Sequence, residues 1–232
     1  MTGQQRREFL KTAGVALTGA AGTGTLAWSP AAAQDGTAKR RKIIGINGSH
    51  RAGKTCAQAL GIILEAVQGA DPTLETELVE LASLNIGIPV IGVPVIGGTQ
   101  GTDDINPLFE KIVDPDCVGL IIASPVYFGL PSARIVAMID RMPPLRKDWR
   151  LKNKIIGLAA VAAGRNGGQE TVIQGMMKAF VAQQMILAVD GVPSSHWGAT
   201  LWNQNDSIMT DEYGIGTAKN LGTRVAELAK LV

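Results

Sequence analysis

The densest chemistry in this chain lies in Gly48-Ser49-His50-Arg51-Ala52-Gly53-Lys54-Thr55. An apolar run, Lys42 to Asn47, leads into this segment, and helical apolar spacing leaves it through Leu60, Ile63, Leu64 and Val67. Strand, tight turn and helix start together make an anion site, because the free first-turn N–H groups and the positive end of the helix dipole both face the turn. Gly48 and Gly53 permit backbone angles and close approaches that a side chain would block. Ser49 and Thr55 add hydroxyls, Arg51 and Lys54 add charge, and His50 and Cys56 sit within reach. The stretch therefore reads as a phosphate cradle.

Two kinds of phosphate ligand fit it. Gly48 to Thr55 satisfies the Walker A pattern at every specified position, and Met185 to Asp190 offers an apolar run ending in an acid, as a Walker B strand would. The competing reading is a flavodoxin-like loop in which Ser49, Arg51 and Thr55 hold the single phosphate of FMN. The loop alone does not choose between them, so the rest of the chain must.

The elements that position the loop alternate as in α/β proteins. Strands are predicted near 43–47, 75–81, 117–123, 154–162 and 185–190, and helices near 55–68, 104–113, 131–142, 168–183 and 215–231. Cys117 to Ala123 is continuously apolar, as a central parallel strand is. The expected fold is a three-layer, doubly wound, five-stranded parallel sheet of order 2-1-3-4-5, which puts a ligand at the carboxyl ends of the first and third strands. The loop after the third strand, Ser124-Pro125-Val126-Tyr127-Phe128-Gly129, suits a flat ring, with backbone groups for its edge and Tyr127 or Phe128 beside it. The same aromatics would also serve as a core pair at a strand end. After the fourth strand, Gly164-Arg165-Asn166-Gly167-Gly168 makes another Gly-rich turn into a helix. Three such loops are predicted to meet at one rim.

The first residues read as an export signal. Arg6-Arg7-Glu8-Phe9-Leu10-Lys11 precedes a mild Gly- and Ala-rich run, and Ala31-Ala32-Ala33 offers a cleavage site. This is the pattern of a twin-arginine (Tat) signal over residues 1–33, with a single domain over 34–232. The run is too weakly apolar for a spanning helix, which needs about 20 predominantly apolar residues, so no stable membrane anchor is expected after cleavage. The whole chain has 22 Lys and Arg against 20 Asp and Glu, and removing Arg6, Arg7, Lys11 and Glu8 leaves 19 of each sign. That balance gives no basic surface for nucleic acid. The two cysteines, Cys56 and Cys117, lie in different elements without C-x-x-C spacing, which argues against a metal or cluster site. Cys56 is predicted to pack on the sheet, although a first-turn thiol can also acidify. An exported ATP-dependent enzyme would lack fuel in the periplasm, which counts against the Walker reading.

Gly48-Ser49-His50-Arg51 with Thr55, the Ser124 to Gly129 loop with Asp140-Arg141, and Gly167-Gly168-Gln169-Glu170 resemble the NADPH-dependent FMN reductase family. Trp197-Gly198-Ala199, Asp211-Glu212-Tyr213-Gly214, Asn220-Leu221-Gly222 and Arg224 extend the likeness. The branch it is most similar to is that of the iron–sulfur flavoproteins. The resemblance implies a flavodoxin-like fold, bound FMN, a homo-oligomer (dimer or tetramer), and cofactor contacts from Ser49, His50, Arg51, Lys54, Thr55, Cys56, Pro125, Val126, Tyr127, Phe128, Gly129, Gly164, Arg165, Asn166, Gly167 and Gly168. It further implies hydride transfer from a reduced donor such as NAD(P)H to the flavin, then onward to a quinone, flavin or other small acceptor, with no catalytic side chain required. Two departures stand out: Ile86 to Gly98 is an apolar Pro/Gly near-repeat where cluster-bearing relatives carry cysteines, and Lys54 replaces a small polar residue. The near-repeat suits a flavin cover, a subunit contact or a buried loop. Export leaves the donor open, because NADPH is cytoplasmic, and a redox partner protein could replace it. An electron carrier, a P-loop nucleotide-binding protein and a non-catalytic flavin-binding module remain as alternatives.

Overall fold

Continuous apolar strands with helical segments between them bury both faces of a parallel sheet. The computed structural model of the chain describes residues 41–90, 93–96 and 103–232. The expected leader at 1–33 and its boundary lie outside those residues. Strands β1 (Arg41–Asn47), β2 (Leu74–Glu80), β5 (Cys117–Pro125), β6 (Ile155–Ala162) and β7 (Ile186–Ala188) form the sheet in the order β2-β1-β5-β6-β7. All of its pairings are parallel. This is the predicted 2-1-3-4-5 arrangement with one addition, β8 (Ala199–Trp202).

The edge that sequence reading assigns to one strand at 185–190 is divided. β7 pairs with Ile155–Gly157 of β6, and β8 takes over along Ala159–Ala162. The chain leaves the sheet after Ala188, and buried Asp190 accepts hydrogen bonds from the Ser194 hydroxyl at 2.6 Å and from the His196 backbone N–H, folding the excursion back on itself. Asn203 N–H then donates to Ala162 O at 2.7 Å as β8 ends.

Helices α1 (Thr55–Ala70) and α6 (Glu212–Ala229) cover one face, packing Leu60, Ile63, Val67, Leu221 and Val225 on Ile43, Ile121 and Ile155. Helices α2 (Ile105–Val113), α3 (Ala133–Asp140) and α5 (Gln169–Val181) cover the other, where Phe109, Met138, Met176 and Phe180 meet Ile44, Leu120 and Leu158. α3 fills the helix predicted near 131–142, and a short helix, α4 (Pro143–Arg146), follows it. The near-repeat contains an antiparallel pair, β3 (Ile88–Val90) with β4 (Val93–Ile96). Its base is pinned by Asn85 N–H to the Asp104 carboxylate at 2.8 Å and by Arg141 to Gly87 O at 3.2 Å.

α1 and α6 touch backbone to side chain. A Cβ on Gly222 would lie 2.3 Å from Ile63 O and 2.7 Å from the Ala66 Cβ, whereas one on Gly216 in the same helix meets nothing within 4 Å. Gly222→Ala is therefore expected to cost about 1–3 kcal/mol by forcing the helices apart. Gly216→Ala should be neutral or stabilising by up to about 1 kcal/mol. Chemical denaturation of the two variants checks this, and equal effects would contradict the close-packed interface.

Candidate functional site

Three loops leave the carboxyl ends of β1, β5 and β6, and hydrogen bonds join the first to the second. The first loop, 48–54, is built by its own side chains. Asn47, buried at the end of β1, accepts from Ser49 N–H at 2.9 Å and donates to Glu80 at 2.6 Å. Glu80 in turn accepts from Gly53 N–H at 3.1 Å, and Ser49 Oγ accepts from Arg51 N–H at 3.0 Å. Gly53 needs its glycine, with φ +66°. These internal bonds set the shape of the loop.

The helix it feeds is left open. Lys54 occupies the N-cap of α1 and makes no side-chain cap bond, and no acid stands in the first turn. By contrast, Ser132 caps α3 and Asp211 caps α6. The first-turn N–H groups of α1 thus lack the internal acceptor that a capped helix supplies, beside buried Ser49 and Thr55. A dianion suits that site, and the phosphate of FMN fits it.

The second loop is tied to the first. Gly48 N–H donates to Ala123 O at 2.8 Å, and the Ser132 hydroxyl donates to Gly48 O while accepting from Ile135 N–H. Ser124 Oγ accepts from Ser132 N–H at 3.0 Å and donates to Pro125 O at 2.9 Å. Tyr127 and Leu130 close a two-residue turn by exchanging backbone bonds of 3.0 and 2.9 Å, with Phe128 at φ +52° and Gly129 at φ +78°, the geometry of a type I′ turn. Tyr127 stacks on His50 across the two loops, ring centroids 5.8 Å apart. Phe128 stands fully exposed at the turn's apex rather than in the core.

At the start of the second loop Val126 N–H donates to Val161 O of β6 at 2.9 Å, and the third loop approaches the second at Gly168. A Cβ on Gly168, which has φ +93°, would sit 3.5 Å from Gly129 Cα. Buried Gln169 fastens the turn, accepting from Gly167 N–H at 2.9 Å and donating to Gly164 O and Leu201 O at 2.7 and 3.1 Å. Trp202 Nε1 donates to Ala163 O at 3.0 Å, so this tryptophan supports the loop. Trp197 is half-exposed.

Not every candidate faces the rim. The Cys56 side chain is buried against the sheet, and burial pushes its thiol up to about 12, so no acidified thiolate forms there. Only its backbone N–H is offered to the loop. Arg165 turns toward α6, pairing with buried Asp211, donating to Thr200 O at 3.1 Å and lying 5.3 Å over the Tyr213 ring. Desolvation there lowers its pKa. Arg165, Asn166, Gly168 and Thr171 instead line a cavity of about 530 Å³ with His196 and Tyr213. The Tyr213 hydroxyl lies 3.4 Å from His196 Nδ1.

Sequence reading missed Asp206. Its carboxylate bridges Arg51 Nη2 at 2.8 Å and Lys54 Nζ at 2.9 Å, and those contacts, Lys54 first, lower its pKa. Asp206 carries no local signal.

The Walker B candidate fails on geometry. β7 lies three positions from β1, with β5 and β6 between, or about 14 Å across the sheet at the usual strand spacing. Asp190 therefore does not reach a ligand on the 48–54 loop, and its carboxylate is engaged by Ser194 and His196.

The model of the NADPH-dependent FMN reductase family matches residues 41–198. The chain belongs to that family. Membership makes FMN its cofactor and flavin-dependent oxidoreduction its class of activity. An iron–sulfur flavoprotein of Methanocaldococcus jannaschii is 38% identical over 195 residues, spanning 82% of this chain and 98% of that relative. Another, from Methanosarcina thermophila, is 30% identical over 198 residues, spanning 82% and 96%. The structure of RosB with bound 8-demethyl-8-formylriboflavin-5'-phosphate matches with TM-score 0.62 at 16% identity, covering 82% of this chain and 79% of RosB, a likeness of fold. The cluster of the named relatives does not fit here. Two cysteines, both buried and in separate elements, fall short of the four thiolates that a cluster requires. Among the described residues no group of three or more His, Cys, Asp or Glu is placed to hold a metal, and no helix is long and apolar enough to cross a membrane.

Proposed function

We propose that the chain is an exported FMN-dependent oxidoreductase that passes electrons from a reduced donor to a small organic acceptor such as a quinone or a second flavin. The observation that carries the cofactor site is the uncapped start of α1 beside Ser49 and Thr55, tied by hydrogen bonds to the second loop, which the third approaches at Gly168. Bound FMN supplies the hydride and electron chemistry. The backbone N–H groups of Thr55 and Cys56, with the Ser49 and Thr55 hydroxyls, hold the phosphate, and Arg51 and Lys54 supply charge around it. Pro125 to Gly129 and Gly164 to Gly168 present backbone groups to the ring edges. The His50–Tyr127 pair stiffens the space between phosphate and ring.

The cavity lined by Asn166, Thr171, His196 and Tyr213 favours a small-molecule acceptor over a bare electron carrier, because it opens beside the third loop and carries hydrogen-bonding groups. Export rests on Arg6-Arg7 and Ala31-Ala32-Ala33. A homo-oligomer would cover the exposed Phe128 and Leu130.

Purified full-length protein is expected to be yellow. Arg51→Ala with Thr55→Ala should weaken FMN at least about tenfold, the order of two charge-assisted hydrogen bonds, while leaving riboflavin binding within about twofold. Fluorescence titration of the apoprotein measures both, and FMN affinity equal to wild type would refute the phosphate assignment. Replacing Arg6 and Arg7 by Lys should trap the protein in the cytoplasm on cell fractionation; unchanged location would refute twin-arginine export.

A further inference from the structure

Asp206 is held in place by hydrogen bonds of the segment around it. Gln204 and Ser207 exchange backbone hydrogen bonds of 2.7 and 3.1 Å around a two-residue turn whose central residues, Asn205 and Asp206, have φ +51° and +67°. One end of the segment is pinned to β6 through Asn203 N–H and Ala162 O, and the other to α1 through Ile208 N–H and the Gln58 side chain at 3.3 Å. The turn therefore runs from the strand that carries the third loop to the helix that follows the first. Its tip sets one carboxylate against the two cations of the phosphate loop, at 2.8 and 2.9 Å.

We infer that Asp206 is an electrostatic latch on the phosphate loop: it holds Arg51 and Lys54 together while the site is open and competes with the incoming phosphate for them. The inference rests on the FMN reading of that loop. Arg51, Lys54 and Asp206 together carry one net positive charge. A phosphate dianion entering that group meets two cations already shared with a carboxylate and is repelled by the carboxylate itself. The latch thus limits FMN affinity while keeping the cations pointed at the loop. Its contribution is modest because all three side chains are part-exposed.

Asp206→Asn tests this with little risk to the turn, since Asn accepts the left-handed conformation at this position, and Asp206→Gly is the second variant should the first misfold. In apoprotein reconstituted with flavin, both variants are expected to bind FMN roughly two- to fivefold more tightly than wild type at low salt, with the gain shrinking as salt rises. Riboflavin, which has no phosphate, should bind all three proteins equally. Unchanged or weaker FMN binding, or a parallel change for riboflavin, would overturn the latch and leave Asp206 a structural turn residue. Inorganic phosphate in place of FMN makes the test independent of the flavin. The rise in Tm it produces should be larger in the variants than in wild type, and an equal rise would count against the latch even if FMN binding failed everywhere. Failure of wild-type protein to bind FMN or riboflavin, with the phosphate response intact, would instead overturn the flavin reading.

Discussion

A helix whose first turn has no internal partner is the constraint around which this molecule is arranged. Unsatisfied N–H groups at an N-terminus cost free energy unless a side chain, water or ligand accepts from them. α3 and α6 meet that need with Ser132 and Asp211, while α1, after the Gly48–Lys54 loop, and α5, after the Gly164–Gly168 turn, have no side-chain cap. The parallel sheet makes the position of that opening useful. Because β1 and β5 are paired side by side, the loop after each emerges at the same edge, and β6 adds the third. A ligand anchored at α1 thus lies within reach of two further Gly-rich turns without any long excursion of the chain.

The rim is pre-shaped rather than waiting to be shaped. Asn47 and Glu80 fold the phosphate loop, the Ser124–Ser132 pair joins it to the second loop, and Gln169 locks the third. Each of these bonds is made inside the protein, so little ordering remains to be done when a cofactor arrives. The division of the last sheet position between β7 and β8 serves the same end. It lets the chain return along β6 close to the rim, where Trp202 props the third loop and the following turn brings Asp206 to the first.

The parts that sequence discloses are those written in local pattern. Runs such as Cys117 to Ala123 announce buried parallel strands, and glycines at fixed offsets announce the loops. The strand order followed because alternating strands and helices admit few windings. What escaped was set by side-chain partners and pairings that periodicity does not show. Met185 to Asp190 reads as one strand, yet the chain leaves the sheet after Ala188 because Asp190 finds Ser194 and His196 instead. Ala199–Trp202 is too short to stand out, and its strand character comes from its pairing with β6. Gly214 and Gly216 blurred the start of α6, which Asp211 in fact caps. Among candidate ligand contacts, side-chain direction was not legible: Arg165 is claimed by Asp211, and Cys56 by the core.

The most direct test of the central claim is an experimental structure of the protein with FMN. The phosphate is expected within hydrogen-bonding distance of the Thr55 and Cys56 N–H groups and of the Ser49 and Thr55 hydroxyls, with the ring lying between the 125–129 and 164–168 turns. A phosphate seated elsewhere, for instance in the cavity beside Arg165 and Tyr213, would contradict the account.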